Sequence, residues 1–172
     1  TPTGSPGGTA EDWPCWRGPN GDGKSLARGI RKDWSGGLRK LWEVNYLCLG
    51  GDSAATYSAP AVKGDKLVIP GREGGRDGKD LTFCFNANTG RRLWRKEYSA
   101  RTPDVSGTGP RATLAIDGGM VYTYGKAGDL LCRDLATGRK RWHRNLVQQE
   151  GGKEPGWGMW IMRRPSDGPR AS

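Results

Sequence analysis

The sequence predicts an all-β protein: a partial β-propeller of about two four-stranded antiparallel blades, one clasp strand and an irregular N-terminal segment. Three observations predict it. The composition, with 29 Gly, 11 Pro and 8 Trp in 172 residues, suits short strands joined by tight turns. A motif that ends in Trp occurs twice. Each copy of the motif follows a second stretch that also repeats.

The repeat is clearest in NANTGRRLW (86–94) and DLATGRKRW (134–142). Both fit the motif [ND]-x-x-T-G-R-x-x-W, and their Trp residues are 48 positions apart. Upstream, AVKGDKLVIPG (61–71) matches AIDGGMVYTYG (115–125) at an offset of 54, so the first unit has six extra residues within REGGRDGKD. Four short strands repeating at this period are typical of a propeller blade.

Each unit divides into four predicted strands. Those of the first blade (57–98) are YSAPAV, KLVIPG, LTFCFN and RRLWRKEY, and those of the second blade (111–146) are RATLAI, MVYTYG, DLLCRD and RKRWHRNL. Tight hairpin turns are expected at KGD and DGG, between the first two strands. In the turn before the fourth strand, we expect Asn86 or Asp134 to accept backbone N–H groups and the following Gly to supply a positive φ.

The repeated Trp is interpreted as a contact between blades. Trp94 and Trp142 should each point inward from an amphipathic fourth strand, because repeats need contacts with their neighbours, and such a ring buries about 150–250 Å². Stacking on a nucleic-acid base is the alternative for a Trp in a basic strand. Trp42, in LRKLWEVNY, resembles the same fourth strand without its three predecessors, and we assign 38–46 as the clasp strand.

The net charge of +10 would attract nucleic acid or anionic membranes non-specifically. The charge is scattered and alternates with apolar residues, which favours solvated strand faces and loops instead. No apolar run approaches the roughly 20 residues that a membrane helix requires.

Residues 18–25, GPNGDGKS, satisfy the phosphate-loop pattern G-x-x-x-x-G-K-[ST]. A phosphate loop follows a buried strand and opens a helix. Here Pro14 interrupts any preceding strand and Gly29 interrupts any following helix. A calcium loop is also excluded, because the bidentate Glu at its end is missing. We interpret the segment as a Gly-rich turn.

The cysteines and the single histidine predict no metal site. Cys15, Cys48, Cys84 and Cys132 are too widely spaced for a C-x-x-C knuckle, and His143 should simply be exposed. Cys84 and Cys132 occupy equivalent third-strand positions, which should be more than about 7 Å apart, so we expect buried thiols there. A disulfide between Cys15 and Cys48 stays open.

At 86–94 and 134–142 the chain resembles the blades of the PQQ-type β-propeller repeat family. DWPCWRGPNGDGKS (12–25), YSAPAV and GDLLCRDLATGRKRW are also similar to exported bacterial PQQ-like propellers of the planctomycete type. The resemblance spans roughly 12–158. It implies an exported protein, located in the periplasm or the cell envelope.

The resemblance implies little about chemistry. Quinoprotein alcohol dehydrogenases of this kind hold the quinone between a Trp and a disulfide of adjacent cysteines, beside calcium. This chain has no adjacent Cys pair, and none of its carboxylates can be matched to the calcium ligands or the catalytic Asp. No catalytic residue is therefore assigned, and cofactor-binding residues are unknown.

Other members of the family, such as the outer-membrane assembly lipoprotein, are scaffolds. We therefore expect a non-catalytic scaffold that binds proteins or a ligand, without a cofactor. The first alternative is a piece of a dehydrogenase that uses PQQ with calcium. The second alternative is non-specific nucleic-acid binding through the basic surface. Expected partners are other proteins and further blades of a longer chain.

The expected organisation has three parts. Residues 1–35 form a Gly/Pro-rich leader and the segment where the resemblance opens, 36–158 form the partial propeller, and 159–172 form a polar tail that a frameshift would explain. GGKEPGWGMW should lead into a third blade, but no strand pattern follows it. Closed propellers have about four to eight blades. We therefore expect a fragment or truncated product, with self-assembly of several copies into a ring as the alternative.

Overall fold

The computed structural model describes the chain in four stretches: 11–29, 32–50, 55–102 and 107–152. These residues contain nine strands in two sheets and no helix. The predicted tail and the predicted start of a third blade's first strand lie outside the described residues.

The first sheet is the first blade. Its strands are β1 (Cys48–Leu49), β2 (Ala61–Lys63), β3 (Lys66–Glu73), β4 (Lys79–Asn86) and β5 (Arg92–Ser99). Strands β2 to β5 pair antiparallel in chain order. Strand β1 adds in parallel to the far end of β3.

The second sheet is the second blade, and its four strands also pair antiparallel in chain order. They are β6 (Ala115–Asp117), β7 (Met120–Tyr124), β8 (Asp129–Asp134) and β9 (Lys140–Asn145). The predicted all-β class with two four-stranded blades is therefore confirmed.

The innermost strands, β2 and β6, are shorter than predicted because the residues before them bond to the other blade. The Tyr57 backbone N–H donates to Pro110 O (3.0 Å). The Ser58 hydroxyl donates to Ala112 O (2.9 Å). Pro60, just before β2, has no N–H to give to a strand ladder. Pairing inside the first blade therefore starts only after this residue.

A β-bulge recurs at the same place in both blades. In the first blade Cys84 pairs with Trp94, whereas the next residue of β4 pairs with Arg92, two positions before Trp94. The second blade repeats the shift after Cys132, which pairs with Trp142. A bulge adds one residue and re-aims the side chains beside it. The distance from the T-G pair to Trp in the motif therefore includes this extra residue.

The main core lies between the two sheets, and it is formed by Ala61, Val68, Cys84, Trp94, Leu114, Ile116, Val121 and Leu135. A second cluster lies on the opposite face of the first sheet. It joins Leu81, Phe83 and Phe85 to Val44, Tyr46, Leu47, Leu67 and Ile69. Because strand side chains alternate between faces, β4 supplies both clusters.

The predicted clasp strand at 38–46 is wrong as a strand. The structure assigns no strand there, and the first ladder in the chain is β1, at Cys48–Leu49. A fourth strand takes its backbone hydrogen bonds from the third strand of its own blade. None of the described residues supplies that strand for 38–46.

The six extra residues of the first unit lengthen the β3–β4 hairpin, in which each strand has eight residues. The Arg72 side chain, which is fully buried, pairs with Asp80 at 2.8 Å. It also donates to Gly75 O (2.7 Å) and Arg76 O (3.0 Å) at the tip of the hairpin. This buried arginine therefore holds the insertion together.

The segment 18–25 is a series of turns, as predicted, and no helix follows it within the described residues. The Gly18 N–H donates to Cys15 O (3.0 Å), and the Gly23 N–H donates to Arg17 O (2.8 Å). The Lys24 N–H donates to a carboxylate oxygen of the neighbouring Asp (3.0 Å). These backbone donors are therefore not free to bind phosphate.

Candidate interaction surfaces

The two T-G turns are built as their sequences predict. The Asn86 Oδ1 atom accepts hydrogen bonds from the backbone N–H groups of Asn88 (3.1 Å) and Thr89 (3.0 Å). The Asp134 Oδ1 atom accepts from the N–H and the hydroxyl of Thr137, both at 2.9 Å. These bonds hold the pKa of Asp134 below its ordinary value.

Trp94 rests on the T-G turn of the next blade. Its Nε1–H donates to Leu135 O at 3.0 Å, and the residue is only 8% exposed. Gly138 lies beneath the ring with a φ of +70°, and a Cβ there would lie 2.8 Å from a ring carbon of Trp94. Only glycine satisfies both the backbone conformation and the close approach. The predicted inward position of Trp94 is confirmed.

Trp42 makes the same contact one unit earlier. Its Nε1–H donates to Ala87 O at 2.9 Å. Gly90 has a φ of +69°, and a Cβ there would lie 2.6 Å from the Trp42 ring. Ala87 and Leu135 occupy the same place in the repeated motif. We call this arrangement the Trp–turn contact: an indole N–H bound to the second residue of [ND]-x-x-T-G, with the ring over its Gly.

Trp142 is the third Trp of the series, and its predicted burial between blades is wrong in this structure. It is 40% exposed, and its Nε1 is bonded to none of the described residues. Its ring packs on Tyr122, with centroids 6.1 Å apart. No described blade lies beyond this face to supply the next turn. The face carrying Tyr122, Cys132 and Trp142 is called the Trp142 face below.

An open groove of about 280 Å³ lies on the opposite side of the blade pair, on the outer face of the first sheet. It is lined by Tyr46, Leu49, Leu81, Phe83, Arg92 and Arg95. The Arg92 guanidinium lies 5.7 Å from the centroid of the Tyr46 ring, within cation–π range. Arg95 forms ion pairs with Glu73 and Glu97. Sequence reasoning did not find this groove, because it depends on how 44–49 crosses the sheet.

A polar cluster joins the two blades at the far end of the hairpin. Asp80 accepts hydrogen bonds from the Arg72 guanidinium (2.8 Å) and the Tyr98 hydroxyl (2.9 Å). Burial raises the pKa of Asp80 and of Tyr98. The Tyr98 ring lies 6.1 Å from the ring of His143, which bonds to Asp129 at 2.8 Å. His143 is exposed as predicted, but it is held in place by Asp129.

All four cysteines are free thiols. Cys84 and Cys132 are buried as predicted, and burial raises the pKa of Cys84 to about 11. Cys15 is also buried, and its thiol donates to Gly18 O (3.1 Å). Cys48 is half-buried, and no disulfide joins it to Cys15. Within the described stretches, no group of three or more His, Cys, Asp or Glu side chains is arranged to hold a metal ion.

Within the same stretches, no helix is long and apolar enough to cross a membrane.

Comparison with known proteins identifies the family. The sequence model of the family described as outer membrane protein assembly factor BamB matches residues 39–158, which is more than half of the chain. No curated protein sequence matches the chain significantly.

Solved structures with a similar fold include BamB from Moraxella catarrhalis, at 22% identity and a TM-score of 0.41 over 54% of this chain and 26% of that one. Quinohemoprotein alcohol dehydrogenase from Comamonas testosteroni is 20% identical, with a TM-score of 0.42 over 56% of this chain and 14% of that one. A europium-containing methanol dehydrogenase is 13% identical, with a TM-score of 0.40 over 54% and 16%.

The chain therefore spans about a quarter or less of the length of these structures. Likenesses this distant carry no argument about activity. The family match stands without them: the chain belongs to the PQQ-like β-propeller repeat family of the outer membrane protein assembly factor BamB.

Proposed function

We propose that the chain acts as a non-catalytic, protein-binding scaffold in the periplasm or cell envelope of a bacterium. The observation that carries the proposal is the groove of aromatic, aliphatic and arginine side chains on the first blade. Membership of a family described as an outer-membrane assembly factor supports the location.

The composition of the groove suits a protein partner. Aromatic and Arg side chains are enriched at the energetic centres of protein interfaces. Arg92 is already stacked against Tyr46, and Arg95 is held by two carboxylates, so both lose little freedom on binding. Leu49 is 47% exposed at the edge of the groove and offers apolar surface to a partner.

The chemically active side chains of the described residues serve the blades themselves. Asp80 is hydrogen-bonded to an Arg and a Tyr, and Asp129 is hydrogen-bonded to a His and an Asn. Asp134 accepts hydrogen bonds within its own turn. Cys84 and Cys132 lie in separate sheets and are both buried. These residues do not fit a quinone held on a disulfide of adjacent cysteines, and we derive no step through that cofactor.

Two measurements test the scaffold proposal. Fluorescence titration with PQQ and Ca²⁺, together with dye-linked alcohol oxidation, should show neither saturable binding nor turnover. Saturable binding with turnover would favour the dehydrogenase instead.

The second measurement places a photo-crosslinking amino acid at Leu49, in the groove, and a matched one at Trp16, which is 52% exposed outside it. In cells that export the protein, position 49 should give discrete protein adducts that Arg92→Glu removes. Equal adducts from both positions, or none, would contradict a binding role for the groove.

A further inference from the structure

The chain carries both halves of the Trp–turn contact in an incomplete form. Among the described residues, Trp142 is an indole donor without a turn, and the turn at 86–90 receives its indole from Trp42, which lies outside the two blades. We propose that the Trp142 face of one copy docks on the first-blade face of a second copy, with Trp142 replacing Trp42 there. The inference rests on the proposed binding role of the groove and names its occupant: another copy of this chain.

The donor side has a template within the chain. Val68, Cys84 and Trp94 of the first blade pack against the second blade. Their equivalents in the second blade are Tyr122, Cys132 and Trp142. Trp94 is 8% exposed and Trp142 is 40% exposed, so the second face has the same arrangement, and no described residue covers Trp142 as the second blade covers Trp94.

The acceptor side has the same template. Turn 86–90 has the same motif as turn 134–138. The second turn offers a carbonyl oxygen and a glycine to Trp94, and turn 86–90 offers Ala87 O and Gly90 to an indole in the same way. The groove beside turn 86–90 lies on the face of β4 that carries Phe83. Leu81 and Phe83 are already buried there. A docking blade would therefore contact the exposed lining residues of the groove, Leu49, Arg92 and Arg95.

Trp42 is held weakly enough to be exchanged. The segment 38–46 has no strand pairing, and Trp42 is fixed by one hydrogen bond, by the packing of its ring over Gly90 and by a ring contact with Phe85 at 6.1 Å. The chain beyond is anchored by backbone bonds, for example Arg72 N–H to Leu47 O at 3.0 Å. Trp42 can therefore leave while β1 stays in place. The exchange keeps one Trp–turn contact and adds the burial of the exposed part of Trp142 and of Leu49 at the edge of the groove.

The interface joins two different surfaces, so it is heterologous and either closes into a ring or grows openly. Each copy supplies two described blades, and propellers close with about four to eight. A ring built from the two described blades of each copy would hold about two to four copies. A net charge of +10 on each copy opposes association at low salt, so added salt should strengthen it.

Sedimentation velocity over a range of concentrations tests the proposal on the 172-residue chain. The wild type should form a discrete oligomer, and Trp142→Ala should raise the dissociation constant at least tenfold. Trp16→Ala removes an exposed Trp that belongs to neither docking face, so this variant should leave the dissociation constant unchanged.

Complementation tests the direction of docking. Trp142→Ala lacks the donor, and Gly90→Val blocks the acceptor, because a Cβ at Gly90 meets the docked ring. Each variant alone should be monomeric, and an equimolar mixture should form only a one-to-one dimer.

A wild type that stays monomeric at every concentration and salt would overturn the proposal, as would a Trp142→Ala variant that assembles normally. These results do not depend on whether Gly90→Val folds. Photo-adducts at position 49 with a different protein would still support the scaffold, so the two proposals fail separately.

Discussion

The indole N–H of Trp94 donates to the carbonyl oxygen of Leu135 in the following blade at 3.0 Å, and the ring covers the Gly of the same turn. This contact ties the fourth strand of one blade to the last turn of the next. It recurs at Trp42, so it is a property of the repeat.

Truncating the buried Trp should cost far more than truncating the exposed one. Trp94→Ala removes a ring that is 8% exposed, and we expect it to lower the free energy of unfolding by about 3–5 kcal/mol. The matched Trp142→Ala variant should cost less than about 1 kcal/mol in the monomer, because its ring is 40% exposed. Urea unfolding at low protein concentration measures both. Equal losses would contradict the assignment of Trp94 to the core.

Substitution of the Gly under the ring separates backbone strain from the ring contact. Gly119 and Gly138 both have a positive φ, but only a Cβ at Gly138 meets a ring. Gly119→Ala should cost about 1–2 kcal/mol through the backbone alone. Gly138→Ala should cost more, and in a Trp94→Ala background its cost should fall to the Gly119 level. A cost that does not depend on Trp94 would show that the ring does not rest on this Gly.

Acid should loosen the turn of the second blade before that of the first. The pKa of Asp134 is lowered in the folded protein by its hydrogen bonds to Thr137, so its contribution to stability is present above its ordinary pKa of 3.8. That contribution is lost as the pH falls through the lower, folded value. Asn86 does not titrate, and Asp134→Asn should remove the difference between the turns. Amide hydrogen exchange of Thr89 and Thr137 below pH 4 measures the difference between the two turns. Equal protection that does not change with pH would contradict this role of Asp134.

The buried thiols should react slowly in the native state. With a pKa of about 11, Cys84 has very little thiolate at neutral pH, and its burial also blocks reagents. Cys48, which is only half-buried, should react first with a thiol reagent. All four thiols should react after denaturation without reductant. A count below four would reveal a disulfide that the structure lacks.

Much of the fold follows from the sequence because its signals are local and repeated. The Asn86 and Asp134 turns, their strands and the inward Trp94 depend on turn chemistry and on neighbours close in the chain. The bulge at Cys84 could not be recognised in the sequence, because the T-G pair and the Trp are equally far apart in both copies of the motif. The strand expected at 38–46 failed because a strand needs a partner that the segment itself cannot specify.

The candidate groove could not be predicted in the same way. It depends on the path of 44–49 across the first sheet and on the long hairpin of the insertion. The buried pair of Arg72 and Asp80 gave no signal either, because a charged residue in a Gly-rich stretch is usually exposed. One sequence signal for these two sites was available, because a Tyr follows both Trp42 and Trp94 by four positions. The first, Tyr46, lines the groove, and the second, Tyr98, bonds to Asp80.

Native-state hydrogen exchange of the indole Nε1–H groups tests the Trp–turn contact most directly. Trp42, Trp94 and Trp142 can be assigned by single Trp→Phe variants and compared in one spectrum of the monomer at low concentration. We expect Trp94 to exchange slowest, the half-buried Trp42 at an intermediate rate, and Trp142 fastest. A Trp94 indole that exchanges as fast as that of Trp142 would contradict the proposal that this contact holds consecutive blades together.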